Sequence, residues 1–134
     1  ANLRYGFPIA KTLGNCLSMA NYARLAALLG PARVIELIYS ARLIEAEEAR
    51  AIGLVSEVLP DHAALQARAA ALAATLAGHA PLTLRATKEP MRRLRAAARA
   101  MEGDDLVPMC FTSDDFREGA ESFLARRPAR WTGR

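Results

Sequence analysis

Cysteine, histidine and lysine are nearly missing from this chain. Its 134 residues hold two cysteines, Cys16 and Cys110, and two histidines, His62 and His79. That is too few, and too widely spaced, for a disulfide framework or a clustered metal site, so no metal is expected. Both thiols are expected to be buried and inert. Aromatic residues make up only 6% of the chain. No apolar run reaches the ~18 residues of a membrane-spanning helix. The N-terminal ANLRYGFPIAK lacks the basic start and long apolar stretch of a signal peptide. A soluble, cytoplasmic protein is the expectation.

Alanine and leucine carry most of the 52% hydrophobic content, which favours helix. At this length the chain fits one small domain with little spare core. The net charge is +4 and the isoelectric point about 9.6. Lys11 and Lys88 are the only lysines among 18 basic residues, the others being arginine. Arg85, Lys88, Arg92, Arg95 and Arg99 recur at three- and four-residue spacing, on one face of a helix. A solvated face is the simplest reading, with an anion-contacting stripe second. Because arginine is raised throughout and exposed aromatics are few, nucleic acid is not expected as a partner.

Leu3, Tyr5 and Phe7 alternate with small or polar residues before Pro8, a strand signal. No partner for this strand is evident, and two-stranded units are marginal in water. From Ser18, a plausible N-cap, Tyr22, Leu25, Leu28 and Leu29 form an apolar helix face that ends at Gly30. Pro31 opens the next helix, Ala32–Tyr39, with Val34, Ile35 and Ile38 turned inward. Asp61 caps a long alanine-rich helix to about Ala77, stopped by Gly78. Pro81 opens another, which Pro90 either kinks or divides before about Met101. After a break at Gly103-Asp104-Asp105, Ser113 caps a final helix with Phe116, Ala120, Phe123 and Leu124 on its apolar side. Arg126 and Arg127 are placed in its last turn, ahead of Pro128.

The most specific stretch is Ala41–Pro60, ARLIEAEEARAIGLVSEVLP. Residue by residue it predicts an extended lead-in, a short acidic helix, a glycine stop and a brief strand. Glu45, Glu47 and Glu48 suit the positive end of a helix dipole. Gly53 can adopt the left-handed conformation that closes a helix, with Leu54-Val55 following. Ser56–Leu59 reads as the strand, ended by Pro60.

This stretch resembles the "tG..i.A.eA...GLV..vvp" block of the enoyl-CoA hydratase/isomerase (crotonase) family. Two further blocks are similar to the family in the same order. Tyr5–Leu25, YGFPIAKTLGNCLSMANYARL, looks like "F..PEi.lG..Pg.gg..rL", matching at Pro8, Leu13-Gly14, Arg24-Leu25 and the following Gly30. Ala80-Pro81 with Lys88, then Phe111–Arg127, looks like "aP.a....K" and "f.s.D..EG..aFleKR".

The resemblance implies a mainly α chain: the helical C-terminal part of a crotonase-like (ClpP/crotonase) fold with one or two short strands. Residues 1–17 would be a strand and loop remnant of the core, and 18–134 a helical, trimer-forming region. The family acts on acyl-CoA thioesters through an oxyanion hole of two backbone N–H groups, which stabilises an enolate. It uses no cofactor beyond the coenzyme A of the substrate. Hydratases and isomerases of this kind, lyases among them, serve fatty acid metabolism. By the family pattern both oxyanion donors and the first catalytic glutamate lie upstream of residue 1. The second glutamate's place is taken by Ile9 if the alignment is anchored on Pro8, or by Ala10 if anchored on Leu13-Gly14; neither side chain can move a proton. No catalytic residue is therefore assigned. Leu13, Leu17 and Ser18 are acyl-pocket candidates. Phe123 and Arg126 match the family's closing motif, which reaches the coenzyme A of a neighbouring subunit, as an aromatic and a guanidinium would. A homo-oligomer, trimer or dimer of trimers, is expected. The alternative from the residues alone is a non-enzymatic helical assembly module.

Overall fold

A computed structural model describes residues 3–101, 103 and 105–134. Asp104 of the expected break therefore lies outside the described residues. The order of elements is β1 (Arg4–Tyr5), α1 (Ile9–Thr12), α2 (Met19–Leu29), α3 (Pro31–Ser40) and β2 (Ile44–Glu45). Then come α4 (Ala46–Ala51), α5 (His62–Ala77), α6 (Pro81–Arg99), α7 (Leu106–Phe111) and α8 (Asp114–Leu124). The mainly helical reading is correct.

The first strand is not an orphan. β1 pairs antiparallel with β2, Arg4 opposite Glu45 and Tyr5 opposite Ile44. Two residues a side cannot hold together on ladder hydrogen bonds alone; packing beneath them supplies the rest. Ile44 is 1% exposed and shares a cluster with Leu37 and Ala49, ringed by Tyr5, Leu29, Ile52, Leu54 and Val55. The backbones come close here, since a Cβ on Gly6 would sit 2.6 Å from the Arg42 carbonyl oxygen. Ser56–Leu59, expected as a strand, is irregular and pairs with nothing described.

α3 starts with Pro31 in its first turn and buries Val34, Leu37 and Ile38. Ile35, expected inward, is 52% exposed. Positions 34, 37 and 38 define one stripe, and 35 falls off it. The chain leaves α3 through Ala41 in the left-handed region. Arg42 then grips two carboxylates at once. Its Nε donates to Glu36 Oε1 at 2.6 Å, and its Nη2 to Glu48 Oε1 at 2.6 Å. This double fork ties α3 to α4 and holds both carboxyls below the usual carboxylate range. Gly53, with φ +81°, turns the chain so that the Leu54 N–H bonds the Ala49 carbonyl at 2.9 Å. The two leucine and valine side chains that follow land on the core, as the sequence implied.

The Asp61 carboxylate caps α5, accepting from the Ala64 N–H at 2.8 Å. Beyond Ala64 this helix is exposed all round, Leu65, Leu72 and Leu76 included. α6 runs unbroken through Pro90 and packs across α2. Its Arg85–Arg99 stripe is exposed, as a solvated face would be. Among the described residues no helix is long and apolar enough to cross a membrane.

Candidate functional site: the turn between α1 and α2

Residues 13–18 form a half-buried turn on which all three acyl-pocket candidates fall. Local chemistry starts it. Thr12 Oγ1 donates to the Pro8 carbonyl at 2.8 Å and the Gly14 N–H to Ile9 at 2.9 Å, closing α1. Gly14 has φ +64°, a conformation that favours glycine. Ser18 stands at the N-cap of α2, and its carbonyl accepts from Asn21 and Tyr22. Its hydroxyl makes no capping bond. The expected side-chain cap is therefore absent, and the hydroxyl is left for other partners.

The far end of the chain builds the seat for this turn. Gly119 of α8 lies under Leu13, so close that a Cβ there would meet the Leu13 carbonyl oxygen at 2.6 Å. A Cβ on Gly14 would meet the Asp115 carbonyl oxygen and the Trp131 ring, each at 3.1 Å. Cys16 Sγ donates to the Leu106 carbonyl of α7 at 3.4 Å. The Met19 side chain rests against Gly103, 3.1 Å from its would-be Cβ. Inside the turn, Asn15 Oδ1 is buried without a hydrogen-bond partner among the described residues. A buried acceptor left this way costs about 1–3 kcal/mol, so it is suited to meet a donor from outside. Tyr22, on the first turn of α2, follows closely, and burial pushes its phenol up.

The C-terminal tail closes the seat. Asp115 Oδ1 accepts from the Thr132 N–H at 2.6 Å, and Oδ2 from the Gly133 N–H at 2.9 Å. Glu118 pairs with Arg127 and accepts from the Arg130 N–H at 2.9 Å. The Arg127 guanidinium, helped by that backbone N–H, pulls the Glu118 carboxyl down to about 2. Asp115 is lowered by its bonds to Thr132 and Gly133. A carboxyl depressed on folding stabilises the fold above its unfolded value, near 4.5 for glutamate, and that contribution disappears as pH falls through the folded value. The tail should hold at pH 5 to 7 and loosen between about pH 4.5 and 2, followed by Trp131 fluorescence. Glu118→Gln should remove most of that transition; an unchanged acid profile in this variant would refute the role of Glu118.

Phe123 lies one helical turn beyond Gly119 and is 67% exposed, so it is not a core residue. Arg126 follows with φ +52°, its N–H bonded to the Phe123 carbonyl at 3.2 Å. Both arginines expected in the last turn, Arg126 and Arg127, lie past the end of α8 at Leu124. The structure thus gathers Leu13, Leu17 and Ser18 into one turn and sets Phe123 and Arg126 beside each other at the end of α8. Ile9 is half-buried and Ala10 exposed on α1. Among the described residues no group of three or more metal-ligating side chains comes together. Sequence reasoning did not assign roles to Asp115, Glu118 or Gly119, although all three stand in the closing motif.

Comparison with known proteins agrees with this geometry. The sequence model described as Enoyl-CoA hydratase/isomerase matches residues 3–134. The chain is 31% identical to 2,3-dehydroadipyl-CoA hydratase of Escherichia coli, over 99% of its own length and 52% of that protein. It is 34% identical to short-chain-enoyl-CoA hydratase of Clostridioides difficile, over 92% of its length and 80% of the relative. Among solved structures, carnitinyl-CoA hydratase from Mycobacterium avium superposes with a TM-score of 0.77 at 26% identity, covering 98% of this chain and 52% of that one. The chain spans about half the length of the first and third of these. With the three sequence blocks folded into one helical unit, these likenesses place the chain in the enoyl-CoA hydratase/isomerase (crotonase) family.

Proposed function

We propose that this chain is the helical, assembly-forming C-terminal portion of a soluble, cytoplasmic enzyme that binds an acyl-CoA thioester and stabilises its enolate. In this reading the Leu13–Ser18 turn forms part of the wall around the acyl chain. The observation that carries it is the seating of that turn: Leu13, Leu17 and Ser18 are half-buried in one loop that α7, α8 and the tail at Trp131 hold in place. The relatives' names all specify CoA thioesters. Phe123 and Arg126, exposed together, would meet the adenine and phosphates of coenzyme A in a neighbouring subunit. The donors of the oxyanion hole are not supplied by residues 1–134 in this reading. With Ile9 and Ala10 at α1, hydration by a pair of glutamates is disfavoured, and the chain alone is catalytically silent. The unit is divided as residues 1–17, belonging to the core, and 18–134, belonging to the trimer.

Purified 134-residue protein should hydrate crotonyl-CoA no faster than buffer does; turnover well above background would overturn the reading. The exposed leucines of α5 favour a second reading, a non-enzymatic assembly module. Both require association. In sedimentation the chain should exceed a monomer, and a monomer with a sharp, cooperative melt would count against both. Binding of coenzyme A by the assembled protein, weakened at least about tenfold when Phe123 and Arg126 are both changed to alanine, separates the first from the second.

A further inference from the structure

The two cysteines, remote in sequence, meet in the fold. Ninety residues separate Cys16 from Leu106, yet Cys16 Sγ donates to the Leu106 carbonyl at 3.4 Å. Cys110 follows Leu106 by one turn of α7, on the same face. The Cys110 thiol is near enough to Cys16 to help raise it. Both are free and only half-buried, within reach of a small reagent. The sequence alone predicts both thiols buried; neither is fully so.

We infer that Cys16 and Cys110 are a redox-convertible pair, which a low-molecular-weight disulfide closes into one intramolecular bond that locks the Leu13–Ser18 turn onto α7. One thiol of the pair, as its thiolate, attacks the small disulfide and forms a mixed disulfide. The first small thiol leaves and takes up the proton that the attacking cysteine lost. The second cysteine sulfur then displaces the remaining small thiol, which leaves with the second proton. Two protein thiols are oxidised to one disulfide, and one small disulfide is reduced to two thiols.

Burial and the neighbouring thiol push Cys16 up to about 11. At neutral pH it is therefore protonated and reacts slowly, consistent with a dithiol that persists until an oxidant accumulates. The consequence of closure is mechanical. The turn is already held by Gly119, Asp115 and Trp131 through packing; the new bond would make its attachment to α7 covalent. This inference does not rest on the acyl-CoA reading, and its test reads a covalent bond rather than turnover.

The experiment treats the native 134-residue chain with oxidised glutathione and follows intact mass and free thiols. The expected product has no free thiol, a mass lower by two hydrogens, and a peptide map joining Cys16 to Cys110. Because the fold prepositions the sulfurs, the equilibrium constant for closure should exceed that of the chain in denaturant by at least about tenfold. Cys16→Ser and Cys110→Ser should each accumulate a glutathione adduct on the remaining cysteine. Stable adducts on both cysteines, a bridge between two chains, unreacted thiols, or closure no more favourable natively than in denaturant would each overturn the inference. The native-to-denatured comparison uses the unaltered chain, so a serine variant that folds poorly does not spoil the test.

Discussion

Replacing Gly119 with alanine should lift the Leu13 turn off α8 and lower the free energy of unfolding by about 2–3 kcal/mol. The added Cβ would lie 2.6 Å from the Leu13 carbonyl oxygen, 2.7 Å from its carbonyl carbon and 2.9 Å from its Cα. All three are backbone atoms, so no flexible side-chain end can move aside. Alanine is the better helix former by about 1 kcal/mol, and the contact must outweigh that gain. It does so because relief requires separating α1 from α8, which takes Gly14 away from Trp131 as well. Denaturant melts should show a lower midpoint with an unchanged slope. Gly78→Ala is the matching control: the nearest atom, Thr75 O, is 3.5 Å away, and φ there is −84°. That change should be neutral or stabilise by about 0.5 kcal/mol. Equal effects at both glycines would dismiss the close approach as the cause.

The second large effect is expected at Ile44. Trimming this side chain to alanine should cost about 3–4 kcal/mol. The described core is small: Val34, Leu37, Ile38, Ile44, Ala46 and Ala49 are its buried apolar residues, and Ile44 is the largest with essentially no exposure. In a fold of ordinary stability, about 5–15 kcal/mol, that loss is a large share. It should also release β1, whose Tyr5 sits opposite Ile44 and packs on the same cluster. Ile44→Val, which leaves most of the contacts, should cost only about 1 kcal/mol. If Ile44→Ala cost no more than that, the β1–β2 packing would not be what holds the N-terminal segment.

Where the chain announces an element through local chemistry, the announcement is met. Asp61 and Ser113 accept from the N–H groups of Ala64 and Phe116, Pro31 and Pro81 open α3 and α6, and Gly53 closes α4. These devices act over three or four residues and leave a mark in composition. Ser18 has the same chemistry without the bond, because the cap residue's carbonyl alone serves α2. The pairing of β1 with β2 was hidden because the partner is two residues long and some forty residues away. What identifies Ile44-Glu45 is burial of one side chain, and burial is a property of the finished fold. The candidate site divides in the same way. Leu13, Leu17 and Ser18 could be found by resemblance, whereas the seat beneath them rests on Gly119, Asp115 and Leu106, whose roles depend on approach across the whole chain.

That approach has a consequence for synthesis on the ribosome. Residues 13 to 18 emerge some ninety residues before their seat, which consists of residues 106, 115, 119 and 131. Closing so long a loop is entropically expensive until both ends exist. The nascent turn must therefore wait, unseated, while α2 to α4 gather around Leu37 and Ile44 behind it, and Thr132 and Gly133 engage Asp115 only after α8 has emerged. The order of manufacture is the reverse of the order of support: residues made later determine when the earlier turn can settle.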